Sequence, residues 1–237
     1  MEIDTENYSL VETLPLGAET VLYRAVDAQD NEFCIKSARR FFSAYGENIP
    51  KHEEDNKRYP YRLKKKHLLN EFKVGTGLFT EEDAPVVHIY DLKSKKTLGV
   101  EWGCDLFMEY LPGTDLADRK LIRVLNLRDK LDTLYQVARA LQYIHRKDYV
   151  HLDIKPANIM LSSGIVKIID FGMTVPLGSL ISSMAGTPGY MAPEQLIADV
   201  RVDERADIYA FGVTANVFLG GRKVNQEGKG VSSRRRK

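Results

Sequence analysis

Cysteine is scarce in this chain, whose 237 residues contain only Cys34 and Cys104. Two thiols are too few and too scattered to form a disulfide framework or to provide the ligands of a structural zinc site. Such cysteine usage fits a reducing compartment, where thiols stay free. We therefore expect a cytoplasmic protein.

An excess of charge of either sign is also missing, because 34 Lys and Arg side chains face 33 Asp and Glu side chains. The formal net charge of +1 gives no general attraction to nucleic acid or to a membrane surface, so we expect neither as a partner. No apolar run is long enough to cross a bilayer, and the N-terminal residues MEIDTENYSL are too polar for a leader. Hydrophobic residues make up 43% of the chain, which is typical of a globular protein.

The first half of the chain is predicted to be mainly β-sheet. Short segments rich in Val, Leu, Ile, Tyr and Phe follow one another from Tyr8 to about Leu111 and predict antiparallel strands. The polar residues 43–66 interrupt them and are predicted to form an inserted loop, followed by a short helix, HLLNEFKVG, that ends near Gly75. We therefore expect residues 1–110 to form a unit with one sheet and one helix.

The second half changes to helical periodicity. From Leu127, apolar residues recur at intervals of three and four and predict a helix with one buried face: Leu131, Leu134, Tyr135, Ala138, Leu141 and His145. We expect residues 111–221 to form a mainly helical unit. Residues 222–237, RKVNQEGKGVSSRRRK, have no apolar face and are predicted to be a disordered basic tail. The expected fold class is α+β.

The stretch HLDIKPANIML, residues 151–161, combines polar groups suited to chemistry with an apolar surrounding. It contains Asp153, Lys155 and Asn158, and the next predicted strand, IVKII, ends on Asp170. A hairpin between them would bring Asn158 and Asp170 beside Asp153. Carboxylate and amide oxygens are ligands that suit Mg²⁺ bridging phosphates. The pattern therefore predicts a magnesium site formed by oxygen ligands of these residues.

A cation that could neutralise phosphate oxygens is found on a predicted strand, at Lys36 in EFCIK. Glu71, on the predicted helix, could pair with it and fix its position. Glu53 and Glu54 are nearer in sequence and remain alternatives, although the strand VVHIYDL follows Glu71 as the next strand should. Together these groups indicate phosphoryl transfer.

The same residues resemble the motifs of the protein kinase family, of the Ser/Thr type, over roughly residues 8–220. The catalytic loop motif H-R-D-x-K-x-x-N is similar to His151–Asn158, D-F-G to Asp170–Gly172, and A-P-E to Ala192–Glu194. The resemblance implies a bilobal kinase-like fold lacking the last helices, with ATP and Mg²⁺ as cofactors and a protein substrate. It implies that Asp153 accepts or orients the hydroxyl proton, that Lys155 steadies the γ-phosphate and that Asn158 and Asp170 hold Mg²⁺. It also implies that Lys36, with Glu71 behind it, contacts the α/β-phosphates.

The resemblance also implies where ATP would lie. DLFMEYLPGTDL is similar to the hinge between the lobes, which puts Met108 before the hinge and the backbone of Glu109 to Leu111 against adenine. Asp115 is expected either near the ribose or at the N-cap of a following helix. Apolar cover is expected from Val21 and Met160. The glycine-rich loop retains only Gly17, since Pro15 and Thr20 stand at the other two glycine places.

Two departures from the family pattern carry further expectations. Leu152 replaces the Arg that pairs with a phosphorylated activation loop, so we expect no switching of that kind, although Thr174, Ser182 and Ser183 remain candidate sites. The sequence after RADIYAFGVTANVFL turns polar, so Glu194 has only Arg222 as a candidate partner, and apolar residues are expected to lose neighbours: Phe211, Val213, Val217, Phe218 and Leu219. A protein partner or a second copy is expected to cover them.

Three functions remain after this comparison. A protein Ser/Thr kinase explains all of the motifs. A pseudokinase or scaffold with weak nucleotide handling explains the missing glycines. A small-molecule kinase of the antibiotic-phosphotransferase type shares the arrangement of Asp and Asn but does not explain AGTPGYMAPE, which resembles a platform for protein substrates with Thr187 facing the substrate.

Overall fold

The computed structural model describes residues 3–14, 20–39, 61–182 and 184–221. The first half contains five strands: β1 (Tyr8–Leu14), β2 (Val21–Asp27), β3 (Glu32–Arg39), β4 (Ile89–Thr97) and β5 (Val100–Glu109). They are antiparallel, as the sequence predicts, and form one sheet in the order β1-β2-β3-β5-β4.

The two faces of this sheet bury different sets of side chains. Tyr23, Phe33 and Phe107 form a cluster on one face. On the other face Lys36 pairs directly with Leu22 on β2 and with Leu106 on β5. Because direct partners in an antiparallel pair share a face, these three side chains point toward the same side of the sheet. This second face is the one that covers the site described below.

One helix, α1 (Tyr61–Leu78), packs on the sheet, and it is longer than the sequence predicts at both ends. The predicted loop at residues 43–66 is wrong for residues 61–66, while residues 43–60 lie outside the described residues. The added turns are held by contacts distant in sequence. Tyr61 OH and Lys65 Nζ both donate hydrogen bonds to Glu101 Oε1 on β5, at 2.7 Å each. A basic, polar sequence is therefore helical here because a carboxylate on the sheet accepts from it.

The second half is mainly helical, which confirms the α+β fold class. Its helices are α2 (Arg119–Val124), α3 (Leu127–His145) and α4 (Arg205–Phe218). A small sheet joins β6 (Thr114–Asp115), β8 (Ile159–Ser162) and β9 (Ile165–Ile168), and the remaining short strands are β7 (Tyr149–Val150), β10 (Val175–Pro176), β11 (Leu180–Ile181) and β12 (Val200–Arg201).

The helix predicted from Leu127 is present, but its buried face is rotated from the predicted stripe. Leu134 and Leu141 are buried as expected, whereas Leu131 and Tyr135 are exposed. The buried face instead includes Val137 and Ala140. The prediction was wrong because exposed and buried apolar residues are interleaved along this helix, so spacing alone does not choose between the two faces.

The two halves share one apolar core. Cys34 and Met108 from the sheet, Leu68 from α1, Leu141 from α3 and Phe171 belong to the same buried cluster. Phe171 is fully buried at the junction of these elements. The residue that follows Asp170 therefore anchors the site to both halves. The division into residues 1–110 and 111–221 stays a prediction, and the predicted tail at 222–237 lies outside the described residues.

Candidate active site

Lys36, on β3, lies between two carboxylates. Its Nζ donates a hydrogen bond to Glu71 Oε2 at 2.8 Å and lies 3.1 Å from Asp170 Oδ1. The Glu71 side chain is only 1% exposed, whereas that of Asp170 is 37% exposed. The structure thus brings together three residues that the sequence predicts to act on phosphates and metal, with Asp170 on the open side. Glu53 and Glu54 lie outside the described residues.

The charges of this trio depend on burial and on one another. Burial alone would lower the pKa of Lys36, but Asp170 and Glu71 outweigh it and raise the pKa above its usual value. Burial raises the pKa of Glu71 to about 7 in spite of the attraction of Lys36. Burial also opposes ionisation of Asp170, yet Lys36 lowers its pKa to about 2. Lys36 and Asp170 are therefore charged at neutral pH, and Glu71 titrates near it.

The segment from β7 to β8 presents Asp153 with both carboxylate oxygens occupied. Oδ1 accepts a hydrogen bond from Thr187 Oγ1 at 2.6 Å, and Oδ2 accepts from Lys155 Nζ at 2.7 Å and from Asn158 Nδ2 at 3.1 Å. Lys155 Nζ also donates to Thr187 Oγ1 at 2.8 Å. A hydroxyl group therefore lies where it can be held by a carboxylate and an ammonium together.

A side chain of α4 fixes the backbone of the loop that carries Asp153. Asp207 is fully buried and accepts hydrogen bonds from the amides of His151, at 2.8 Å, and Leu152, at 2.9 Å. His151 Nδ1 in turn accepts from the amide of Asp153 at 3.2 Å, which leaves Nε2 to donate to the Ile169 carbonyl at 3.3 Å. Leu152 has a φ of 65°, in the left-handed region that a branched residue adopts only when its surroundings impose it.

The hairpin β8–β9 brings Asn158 close to the segment that carries Asp170, as the sequence predicts. Ile159 pairs with Ile168, and the Ile169 amide donates to the Asn158 carbonyl at 3.0 Å. Asn158 uses Nδ2 to donate to the Asp153 carbonyl at 2.8 Å, so its Oδ1 is the atom left for a cation. An amide oxygen and a carboxylate fit Mg²⁺ that keeps several waters and phosphate oxygens as ligands.

The described residues contain no group of three or more His, Cys, Asp or Glu that could hold a metal by themselves. The predicted pair of one amide oxygen and one carboxylate would leave the other ligands of Mg²⁺ to phosphate and water oxygens.

Among the residues predicted to contact adenine, the structure corrects one. Val21 packs with the Tyr23 cluster on the face of the sheet opposite Lys36, so the prediction that it covers ATP is wrong. Its neighbour Leu22 is the direct partner of Lys36 and packs with Cys34 and Met108. Since strand side chains alternate between faces, an error of one position exchanges the two residues. Gly17 lies outside the described residues.

The residues predicted to form the hinge lie at and after the end of β5. Met108 pairs with Cys34 and is buried on the Lys36 side. The Glu109 carboxylate accepts two hydrogen bonds from Lys167 Nζ on β9, both at 2.7 Å, and one from the His88 amide at 3.1 Å. Leu111 follows, and its carbonyl accepts from the Gly113 amide at 2.8 Å. The side chain of Glu109 is thus directed to β9, and its amide donates to the His88 carbonyl at 2.8 Å, so its own carbonyl is the part that can face a base.

Asp115 and Met160 are direct partners on β6 and β8. The alternative that Asp115 is a helix N-cap is wrong, because Asp118 caps α2 and accepts from the amides of Lys120 and Leu121. Asp115 Oδ1 instead accepts from the Ala117 amide at 2.8 Å, and partial burial raises its pKa. The ribose role therefore remains as the prediction for Asp115.

The segment after Asp170 is already tied to its surroundings. Val175 pairs with Val150, and Leu180 pairs with Arg201. Leu152 packs in an apolar cluster with Ile181 and Val202, so an aliphatic contact stands where the family has an Arg. Of the candidate phosphorylation sites, Thr174 is buried, Ser182 is exposed and Ser183 lies outside the described residues.

Gln195 was missed by the sequence analysis. It is fully buried, and its Nε2 donates to the carbonyls of Leu152, at 2.9 Å, and Ala185, at 2.6 Å. Its Oε1 accepts from the Ala192 amide at 2.8 Å. It therefore connects the Asp153 loop to the segment that carries Thr187. Its position directly after Ala192–Glu194 was the available signal.

The apolar face of α4 is partly covered by the chain itself. Val213 and Phe218 are buried, so the expectation that they lack neighbours is wrong. Phe218 belongs to the buried cluster that also contains Leu141 of α3. Ile208 and Leu219 are exposed, and Ile208 and Phe211 line a groove of about 510 Å³ between α3 and α4. Glu194 is half-buried and lines a second cleft together with Arg201 and Arg205.

Known proteins resemble this chain in sequence. A model of the protein kinase domain matches residues 10–236. The chain is 32% identical over 231 residues to the serine/threonine-protein kinase PknA of Corynebacterium glutamicum, covering 94% of this chain and 45% of that protein. It is 32% identical over 215 residues to the serine/threonine-protein kinase drp72 of Corynebacterium efficiens, covering 87% and 37%.

A third relative is the probable serine/threonine-protein kinase PknB of Bifidobacterium longum, which is 37% identical over 149 residues, 58% of this chain and 21% of that protein. The chain thus spans less than half the length of each of these relatives. Among the described residues, no helix combines the length and the apolar character needed to cross a membrane.

Proposed function

The chain belongs to the protein kinase family, and from that premise we propose that it transfers the γ-phosphoryl group of ATP to Ser or Thr hydroxyls of a protein substrate. The observation that carries the proposal is the contact of Asp153 and Lys155 with the hydroxyl of Thr187, at 2.6 Å and 2.8 Å. A carboxylate that accepts from an aliphatic hydroxyl beside an ammonium is the arrangement that this transfer requires.

In the proposed reaction, the substrate hydroxyl is held by Asp153, which orients it and accepts its proton. The hydroxyl oxygen forms a bond to the γ-phosphorus while the bond from that phosphorus to the bridging oxygen of ADP breaks. Lys155 neutralises negative charge on the transferring group, and Lys36, fixed by Glu71, neutralises charge on the α- and β-phosphates. The chain contributes positioning and charge, and forms no covalent bond to the phosphoryl group.

Asn158 and Asp170 would hold Mg²⁺, which when bound neutralises charge on the phosphate oxygens. Leu22, Met108 and Met160 would cover adenine, the backbone of Glu109 and Leu111 would bind its edge, and Asp115 would bind the ribose. These assignments are supported by the position of Leu22, Lys36 and Met108 on one face of the sheet. The compartment proposed is the cytoplasm, where ATP is available and Cys34 and Cys104 stay reduced.

The test is transfer of label from radioactive ATP to a generic basic protein, with Asp153→Asn and a matched control. Asp148→Asn is that control, because Asp148 is exposed and has a φ of 59°, which Asn also adopts. We expect label on Ser and Thr, lost by about a hundredfold or more in Asp153→Asn and retained in Asp148→Asn. A wild-type chain that binds no ATP would support the pseudokinase alternative. Transfer of label to a small aminoglycoside would support the other alternative, a small-molecule kinase of the antibiotic-phosphotransferase type.

A further inference from the structure

Asn70, the residue before Glu71 on α1, makes contacts that no sequence motif includes. Its Nδ2 lies 3.0 Å from the carbonyl oxygen of Phe171, 3.2 Å from that of Gly172 and 2.8 Å from that of Thr174. One amide group with two hydrogens therefore serves three carbonyls of the segment that follows Asp170. These carbonyls are more than a hundred positions away in the sequence.

The helix and this segment are also in close steric contact. A Cβ added to Gly172 would lie 3.2 Å from the Cβ of His67. One added to Gly75 would overlap Ile89 Cγ1 and lie 3.4 Å from the ring of Phe171. Because Gly172 and the Phe171 ring lie this close to α1, a shift of the helix displaces them.

Adjacent residues of a helix point about 100° apart, so Asn70 and Glu71 approach the segment after Asp170 through different groups. Glu71 accepts from Lys36 on β3 and from the Phe171 amide, and Asn70 donates to the carbonyls of that segment. Asp170 itself has a φ of 67°, a backbone conformation that its surroundings have to maintain. The same helical turn thus fixes the cation and the segment carrying the metal ligand.

We propose that Asn70 is a positioning residue that couples the placement of Glu71 to that of the Asp170 loop, so that Lys36 and Asp170 are presented to a magnesium nucleotide together. This inference rests on the proposed function for the roles of Lys36 and Asp170. Asn70 itself touches neither substrate nor metal. It acts by donating to the backbone carbonyls of Phe171, Gly172 and Thr174.

The test compares Asn70→Asp and Asn70→Ala with a control on the same helix. Asp keeps the shape of the side chain but replaces the donor by a carboxylate facing three carbonyl oxygens, so it is expected to be worse than Ala. Thr76→Val is the control, because exposed Thr76 donates only to carbonyls of its own helix, Phe72 and Lys73. For every readout we expect Thr76→Val to behave like the wild type, Asn70→Ala to be impaired, and Asn70→Asp to be impaired most.

The first readout is hydrogen–deuterium exchange of peptides that cover residues 170–176. We expect exchange about tenfold faster in Asn70→Asp, which corresponds to the loss of one hydrogen bond of ordinary strength, and no change in Thr76→Val. Exchange that is unaltered in Asn70→Asp, or that rises uniformly over the whole chain, would overturn the proposal, since the second result describes general destabilisation.

The second readout is the affinity for ADP measured by calorimetry with and without Mg²⁺. We expect the gain in affinity on adding Mg²⁺ to fall about tenfold in Asn70→Asp, with metal-free ADP affinity unchanged. An equal loss in both conditions, or no loss, would overturn the proposal. Neither readout needs turnover, so a wild-type chain that binds Mg-ADP without transferring phosphate would refute only the proposed function.

Discussion

Asp207 on α4 accepts a hydrogen bond from the backbone amide of His151, two residues before Asp153, at a distance of 2.8 Å. It also accepts from the Leu152 amide at 2.9 Å and contacts His145 Nε2 at 2.9 Å. A fully buried carboxylate therefore determines the path of the chain at the point where it enters the loop that carries Asp153. The geometry of Asp153 depends on a side chain that does not touch it.

Asp207→Asn is expected to lower the free energy of unfolding by about 2–4 kcal/mol, because an amide group presents an N–H to donors that need an acceptor. Phosphate transfer should fall in parallel. Denaturant unfolding followed by circular dichroism measures the first effect. Asp132→Asn, at an exposed carboxylate 3.9 Å from Arg128, should change stability by less than about 0.5 kcal/mol. Equal effects of the two substitutions would contradict this view of Asp207.

Leu22→Ala and Val21→Ala test which side of β2 faces the nucleotide. Leu22 shares a face with Lys36, and Val21 packs in the cluster on the opposite face. Loss of an apolar contact worth about 1 kcal/mol should raise KM for ATP roughly fivefold in Leu22→Ala. Val21→Ala should leave KM for ATP unchanged and lower only the melting temperature. If KM for ATP rose in Val21→Ala and not in Leu22→Ala, Val21 would be the residue that faces the nucleotide.

The contrast between these neighbours shows what the sequence could predict. Asp153 and Asn158 are five positions apart in one loop, so their contact follows from local spacing. Lys36 and Glu71 are 35 positions apart, yet the order of helix and next strand identified the pair. The face of a strand, however, changes with every residue, and an alignment shifted by one position misplaces the side chain completely.

What the sequence could not predict depends on contacts that are distant along the chain. The first turns of α1 are stabilised by Glu101, 40 positions from Tyr61, and Asn70 finds its acceptors at 171–174. Leu131 and Tyr135 fit an apolar helical pattern but are exposed. Periodicity identifies a helix well, but a face is buried only if another element covers it.

Ile181→Ala should weaken the segment that carries Thr187, since Ile181 packs with Leu152 and Val202. We expect a loss of about 2 kcal/mol in stability together with lower activity, as for other buried Ile residues. The neighbouring Leu180→Ala is the control, because Leu180 is 57% exposed.

Neither the substitution Ser182→Ala nor treatment of the wild-type chain with a phosphatase should change its activity. Activity that requires a phosphate on this segment would contradict the view that apolar packing orders it.

The pH dependence of the reaction should report on Glu71. Burial raises its pKa to about 7, above the usual 4.5, so its proton is bound below about pH 7 and lost above it. The charged pair with Lys36 therefore forms as the pH rises through 7, and kcat/KM for ATP should increase between about pH 6 and pH 8. Glu71→Gln imitates the protonated form at every pH. It should match the wild type near pH 6, fall about tenfold below it near pH 8, and show no step in that interval.

Glu101→Gln provides the matched control, since Glu101 also pairs with α1 through Lys65. The hydrogen bond from Lys65 is the largest of the effects that lower the pKa of Glu101 to about 2, so this carboxylate stays ionised throughout the range. Glu101→Gln should therefore keep the step near pH 7 while losing some stability at the start of α1. A step that persists in Glu71→Gln would assign the titration to another group, and the buried pair of Lys36 and Glu71 would then be charged over the whole range.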